Sequence, residues 1–116
     1  MLTRDLLSEI ASVDLELEWT SDYEAARERI ARAEHDVYLL DYRLGEHTGL
    51  QLLRESVRGG CRAPMILLTG QGDRELDMEA MRAGAADYLV KGEFDAALLE
   101  RTIRYSLEKA RMVREL

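Results

Sequence analysis

The sequence predicts an α/β protein, a doubly wound parallel sheet with helices on both faces. Three observations carry that prediction. Short apolar runs of strand length alternate with stretches of helical periodicity along the chain. The strongest runs, Val37-Tyr38-Leu39-Leu40, Ile66-Leu67-Leu68 and Tyr88-Leu89-Val90, do not alternate with polar residues, as expected of strands covered on both faces. Each run then stops on a chemically different polar residue: Asp41, Thr69 and Lys91. Ligands of open parallel sheets bind beyond the carboxyl ends of the strands, so these three residues predict a site at one edge of the sheet.

The elements follow in order. Leu2, Leu6, Leu7 and Ile10 have helical spacing, which predicts a helix over 2–11. Val13, Leu15 and Leu17 alternate with Asp14, Glu16 and Glu18, which predicts an edge strand with one wet face over 13–19, ending at Trp19. Thr20-Ser21-Asp22 offers an N-cap for a helix burying Tyr23, Ala26, Ile30 and Ala33. A strand over 36–40 comes next, then a loop punctuated by Gly45 and Gly49. Thr48 caps a helix that buries Leu50, Leu52, Leu53 and Val57 and ends at Gly59-Gly60. Pro64 opens a strand over 65–68. A weaker helix through Leu76, Met78, Ala80 and Met81 stops near Gly84, and a strand over 88–90 is broken by Gly92. The last helix runs from about Asp95 to Glu115 with Leu99, Ile103, Ser106, Ala110 and Val113 on one stripe. Its first turns pack on the sheet, and from 105 to 116 it projects as a signalling helix with Arg104, Lys109, Arg111 and Arg114 on its surface.

A chain of 116 residues is a single domain, spanning 1–116. Its net charge of −7 excludes nucleic-acid binding through a basic face. The lone Cys61 excludes an internal disulfide and a multi-thiolate metal site. His35 and His47 are isolated and lack metal-ligand spacing. No run approaches the ~18 apolar residues of a membrane span. Charge enters at Arg4 and Asp5, unlike a signal peptide, so the expected compartment is the cytoplasm.

A carboxylate, a hydroxyl and an ammonium at three neighbouring strand ends suit phosphoryl transfer to an aspartate. Asp41 attacks and becomes an acyl phosphate. Thr69 and Lys91 then hold the new phosphoryl oxygens. A divalent cation, normally Mg²⁺, neutralises charge during transfer.

These residues also carry a resemblance. Leu39-Leu40-Asp41, the following Gly49, Leu68-Thr69-Gly70 and above all Ala83-Gly84-Ala85-Ala86-Asp87-Tyr88-Leu89-Val90-Lys91 resemble the receiver domains of two-component response regulators, over nearly the whole chain. The resemblance implies a flavodoxin-like receiver fold with sheet order 2-1-3-4-5. It implies Asp41 as phosphoacceptor, Thr69 and Tyr88 as the switch pair, Lys91 as the phosphate-sensing lysine, and the Arg43 backbone carbonyl as a Mg²⁺ ligand. It also implies a signalling domain that is not an enzyme, with a histidine kinase or phosphotransfer protein as partner.

Three departures stand beside it. Gly45 and Gly92 replace prolines usual in the family. The acidic pair that ends the family's first strand would fall just before Met1, and Asp5, inside the first predicted helix, does not substitute for it. The expectation is therefore an N-terminally truncated receiver without its central first strand, with weak Mg²⁺ binding and impaired phosphorylation. Strand 13–19 then pairs directly with 36–40, or a homodimer completes the sheet by strand exchange or forms through the C-terminal helix. Of three other functions, the first two are disfavoured and the third stays open. A haloacid-dehalogenase-like phosphatase wants an aspartate where Arg43 stands. A nucleotide or flavin domain wants a phosphate loop after the first strand. A pseudo-receiver would bind partners without phosphorylation.

Overall fold

The computed structural model describes residues 22–33, 35–44, 47–70 and 74–115. The helix expected over 2–11 and the strand expected over 13–19 lie outside them, as does the question of how that strand pairs. The first described helix, α1, spans Tyr23–Ala31. Asp22 caps it, its carboxylate accepting from the Ala25 N–H at 3.3 Å, which satisfies one of the unpaired donors of the first turn. Tyr23, Ala26 and Ile30 face inward as expected. Ala33 does not: it lies past the helix end, exposed, at a φ of 54°.

Strand β1, Tyr38–Asp41, starts slightly later than 36. A two-residue hairpin follows, β2 at Arg43–Leu44 and β3 at His47–Thr48, where a plain loop was expected. Helix α2 spans Gly49–Arg58. Its start is a reciprocal capping box: Thr48 Oγ1 accepts from the Gln51 N–H at 3.1 Å, and Gln51 Oε1 accepts from the Thr48 N–H at 2.9 Å. The inner face of α2 carries Ser56 where Val57 was expected, and Val57 is 42% exposed. Strand β4, Met65–Thr69, is buried at every position. Helix α3, Arg74–Ala83, turns Leu76 and Ala80 inward, whereas Met78 and Met81, expected to be buried, are 54% and 44% exposed. Strand β5 spans Asp87–Val90 and helix α4 spans Ala96–Glu115. Asp95 opens α4 by accepting from the Leu98 N–H at 2.9 Å.

Strands β1, β4 and β5 form one parallel sheet in that order, with β4 in the middle of the three. Side chains of a strand alternate between faces, and so does the core. Tyr38, Leu40, Met65 and Leu67 pack on one side with Tyr23, Ile30, Leu52, Leu53, Leu76 and Ala80, the inner faces of α1, α2 and α3. Ile66, Leu68 and Leu89 pack on the other with Leu99 and Ile103 of α4. Val37 and Leu39 are half-buried against that second cluster, so β1 is less fully covered than its unbroken apolar run suggests. The last helix is continuous to Glu115; Ser106 is buried, while Tyr105, Met112 and Val113 are exposed.

Two backbone positions should respond oppositely to substitution. At Ala33 the left-handed φ strains an L-residue, so Ala33→Gly should stabilise the protein by ~0.5–1 kcal/mol. Gly84 has a φ of 109°, and a Cβ there would sit 3.3 Å from Val57 Cγ2, so Gly84→Ala should cost at least ~1 kcal/mol. Urea unfolding midpoints at constant m-value report both.

Candidate functional site

The parallel register brings the three predicted polar residues together. Asp41 ends β1 opposite Leu68, Thr69 ends β4 opposite Val90, and Lys91 directly follows β5. All three therefore lie at the carboxyl edge of the sheet. Lys91 Nζ meets Asp41 Oδ1 at 2.6 Å, joining two strand ends across the end of β4. The Lys91 N–H also donates to the Thr69 carbonyl at 2.8 Å, which fixes the start of the lysine side chain beside the threonine.

The Asp41 side chain is 35% exposed and that of Lys91 is 43% exposed. A pair this wet contributes ~1 kcal/mol or less to stability. It holds the carboxylate in place yet is easily exchanged for another anion. Thr69 is the opposite case. It is fully buried, and among the described residues its Oγ1 has no hydrogen-bond partner. Such a group costs ~1–3 kcal/mol until a partner reaches it. The site thus has an accessible carboxylate, a cation already beside it, and a hydroxyl with no partner among the described residues.

Arg43 contributes its backbone. Its N–H donates to Asp41 Oδ1 at 3.2 Å, and it pairs with Thr48 across the hairpin. The Gly49 N–H donates to the Tyr42 carbonyl at 2.6 Å, closing the hairpin base against α2. A Cβ on Gly49 would collide with the Asp41 carbonyl oxygen and lie 2.9 Å from Leu67 Cδ1, so close backbone approach requires glycine here. Tyr88 stands opposite Leu67 on β5, half-buried against the first core cluster. Among the described residues no group of three or more histidine, cysteine, aspartate or glutamate side chains could hold a metal ion. The metal donors present are the Asp41 carboxylate and the Arg43 carbonyl. A Mg²⁺ ion held there would have to keep several waters and share phosphate oxygens with its substrate.

Both histidines are engaged in ring contacts. His35 meets Tyr38 edge-on, and His47 stacks on Tyr23 with ring centroids 4.2 Å apart. Sequence reasoning missed the hairpin and this stack. The available signal for the hairpin was the two-residue interval between Leu44 and His47, a hairpin loop length. Burial and the Glu55 carboxylate, which accepts the phenol's hydrogen bond, push the Tyr23 hydroxyl from 10.0 up to about 12.

The parallel sheet thus carries a carboxylate, a hydroxyl and a lysine at adjacent carboxyl ends, along one edge of an α/β fold. The family model "Response regulator receiver domain" matches residues 1–104, and the chain belongs to that family. The chain is 32% identical over 103 residues to the regulatory protein LuxO of Vibrio cholerae, covering 89% of this chain and 22% of LuxO. It is 33% identical over 117 residues to nodulation protein W of Bradyrhizobium diazoefficiens, covering 98% of this chain and 50% of that protein. The chain thus spans half or less of these relatives. Among solved structures, the receiver domain of NtrX from Brucella abortus matches with a TM-score of 0.78 at 27% identity, covering 90% of this chain and 85% of that one. NtrX from Brucella abortus in complex with ADP matches with a TM-score of 0.83 at 30% identity, covering 97% of this chain and 26% of that one. Receiver domains of two-component systems interact with histidine kinases or phosphotransfer proteins, and they generally bind Mg²⁺.

Two outcomes test this geometry. Gly49→Ala should move the Asp41 carbonyl and lower the thermal midpoint, whereas Gly59→Ala, with its nearest neighbour at 3.4 Å, should change it little. The raised Tyr23 pKa means the folded state favours the neutral phenol. Its contribution to stability is complete below pH ~10 and is lost as pH rises through about 12. Tyr23→Phe should therefore flatten the alkaline arm of the stability curve above pH ~10, read by denaturant unfolding at each pH.

Proposed function

We propose that this chain is a phosphorylation-driven switch in which Asp41 accepts a phosphoryl group from a histidine kinase or phosphotransfer protein. The observation that carries the reading is the 2.6 Å contact between Lys91 and an accessible Asp41, at the strand edge where the buried hydroxyl of Thr69 has no partner among the described residues. An Asp41 oxygen forms a bond to phosphorus while the P–N bond of the donor phosphohistidine breaks, and the imidazole nitrogen keeps the electron pair. The Asp41 carboxylate and the Arg43 carbonyl would hold a Mg²⁺ ion, which supplies charge neutralisation during the transfer. With so few protein donors among the described residues, this ion is held weakly and phosphorylation is slow.

Lys91 then exchanges the carboxylate for a phosphoryl oxygen, a stronger anion. Thr69 turns its hydroxyl toward another phosphoryl oxygen, and Tyr88 follows into the space released. The surface of α3, β5 and α4 changes as a result, including exposed Met78, Met81 and Tyr105. Asp41 is modified stoichiometrically, so the domain is a signal carrier and not an enzyme. No helix among the described residues is long and apolar enough to cross a membrane. Exposed Met112 and Val113 support a further reading in which α4 pairs in a homodimer.

Incubation with acetyl phosphate and Mg²⁺ should add one phosphoryl group, read by intact mass. Asp41→Asn should abolish the gain, and removing Mg²⁺ with a chelator should suppress it. Phosphorylation that survives Asp41→Asn would contradict the proposal, as would its absence from the parent chain under saturating donor and Mg²⁺.

A further inference from the structure

We propose that His47 is a positioning residue for the phosphoacceptor loop. Its stack on Tyr23 clamps the β2–β3 hairpin to α1 and so holds the Arg43 backbone beside Asp41. This rests on the reading of Asp41 as phosphoacceptor.

A hairpin with two residues in each strand does not hold its own shape, because isolated two-stranded ribbons are marginal even when longer. Its base is tied by the Gly49 N–H on the Tyr42 carbonyl and by the Arg43 N–H on Asp41. Its outer pair, Leu44 and His47, needs another tether. The His47 ring supplies one, lying 4.2 Å from the Tyr23 ring with an interplanar angle of 28°. Tyr23 is a firm support for it. The residue is only 6% exposed and belongs to the first core cluster, and Glu55 of α2 acts on its hydroxyl closely enough to raise its pKa. Two helices thus fix the plate on which the hairpin rests. His47 itself is exposed, so the contact is not a by-product of core packing. Arg43 pairs with Thr48, the neighbour of His47, so a shift of β3 is carried directly to the Arg43 backbone.

The stacking face of the imidazole, rather than its charge or metal affinity, is the property used. Another aromatic ring should therefore replace it, which a role in proton transfer or ligation would not allow. The test uses the full chain labelled with ¹⁵N. His47→Ala should speed hydrogen exchange at the Gly49 amide ~2- to 10-fold, the range corresponding to one aromatic pair. It should raise by a similar factor the Mg²⁺ concentration that half-saturates the shift of the Arg43 amide, and slow phosphorylation of Asp41 at subsaturating Mg²⁺. His47→Phe should return all three to within about twofold of the parent. Unchanged Gly49 exchange in His47→Ala would overturn the clamp. Faster exchange with an unchanged Mg²⁺ midpoint and phosphorylation rate would overturn the positioning role, as would failure of His47→Phe to rescue. If the parent chain takes no phosphoryl group, the functional reading fails instead, and Gly49 exchange still decides whether the clamp exists.

Discussion

Every reacting group at the site is placed by the pairing of β4 with both of its neighbours. Met65 to Thr69 is buried at all five positions, so its register is dictated by two cores at once. A slip of one residue would turn Ile66 and Leu68 toward α1–α3 and Leu67 toward α4, exchanging the two clusters. With that register set, Asp41 ends next to Leu68 and Val90 ends next to Thr69. The chemistry at the carboxyl edge is therefore a consequence of hydrophobic packing below it. Gly49 adds a second, local constraint, because only a residue without Cβ lets α2 begin against the Asp41 backbone.

The energetics at that edge favour exchange over permanence. The Asp41–Lys91 pair is half in water and is worth little as a stabilising contact. The buried Thr69 hydroxyl, without a partner among the described residues, carries a cost that a new acceptor would relieve. In the proposed scheme a phosphoryl group on Asp41 would improve both terms, since it would offer Lys91 a more highly charged partner and Thr69 an acceptor. That difference between two states of one site is what a population switch requires. Tyr88 is half-buried against the first core cluster, opposite Leu67. Asp77, a buried carboxylate on α3 whose Oδ1 has no partner among the described residues, has no role in this scheme.

The sheet and the site were largely legible in the sequence because both follow from short-range rules. Unbroken apolar runs identified β1, β4 and β5. A polar residue at the end of each identified Asp41, Thr69 and Lys91. Caps at Asp22 and Thr48 and the break at Gly92 were read from residue type alone. The misses share a physical cause: which side of a helix is covered depends on what lies across from it. Ser56 took the buried place of Val57, which instead packs beside Gly84 at the rim. Met78 and Met81 are apolar but lie off the inward face of α3, which Leu76 and Ala80 fill. Ala33 continued the helical spacing of α1 but not its backbone. The hairpin was hidden because two residue pairs carry no periodicity, and the Tyr23–His47 stack because it joins residues distant in sequence.

The central claim is that a phosphoryl group on Asp41 engages Thr69 and that Tyr88 responds. NMR of the full chain before and after reaction with acetyl phosphate and Mg²⁺ tests it most directly, with the Thr69 methyl and the Tyr88 ring as reporters. The expected result is that both shift together with the appearance of phosphorylated Asp41 and revert as the acyl phosphate hydrolyses. A phosphorylated Asp41 with unmoved Thr69 and Tyr88 resonances would contradict the account.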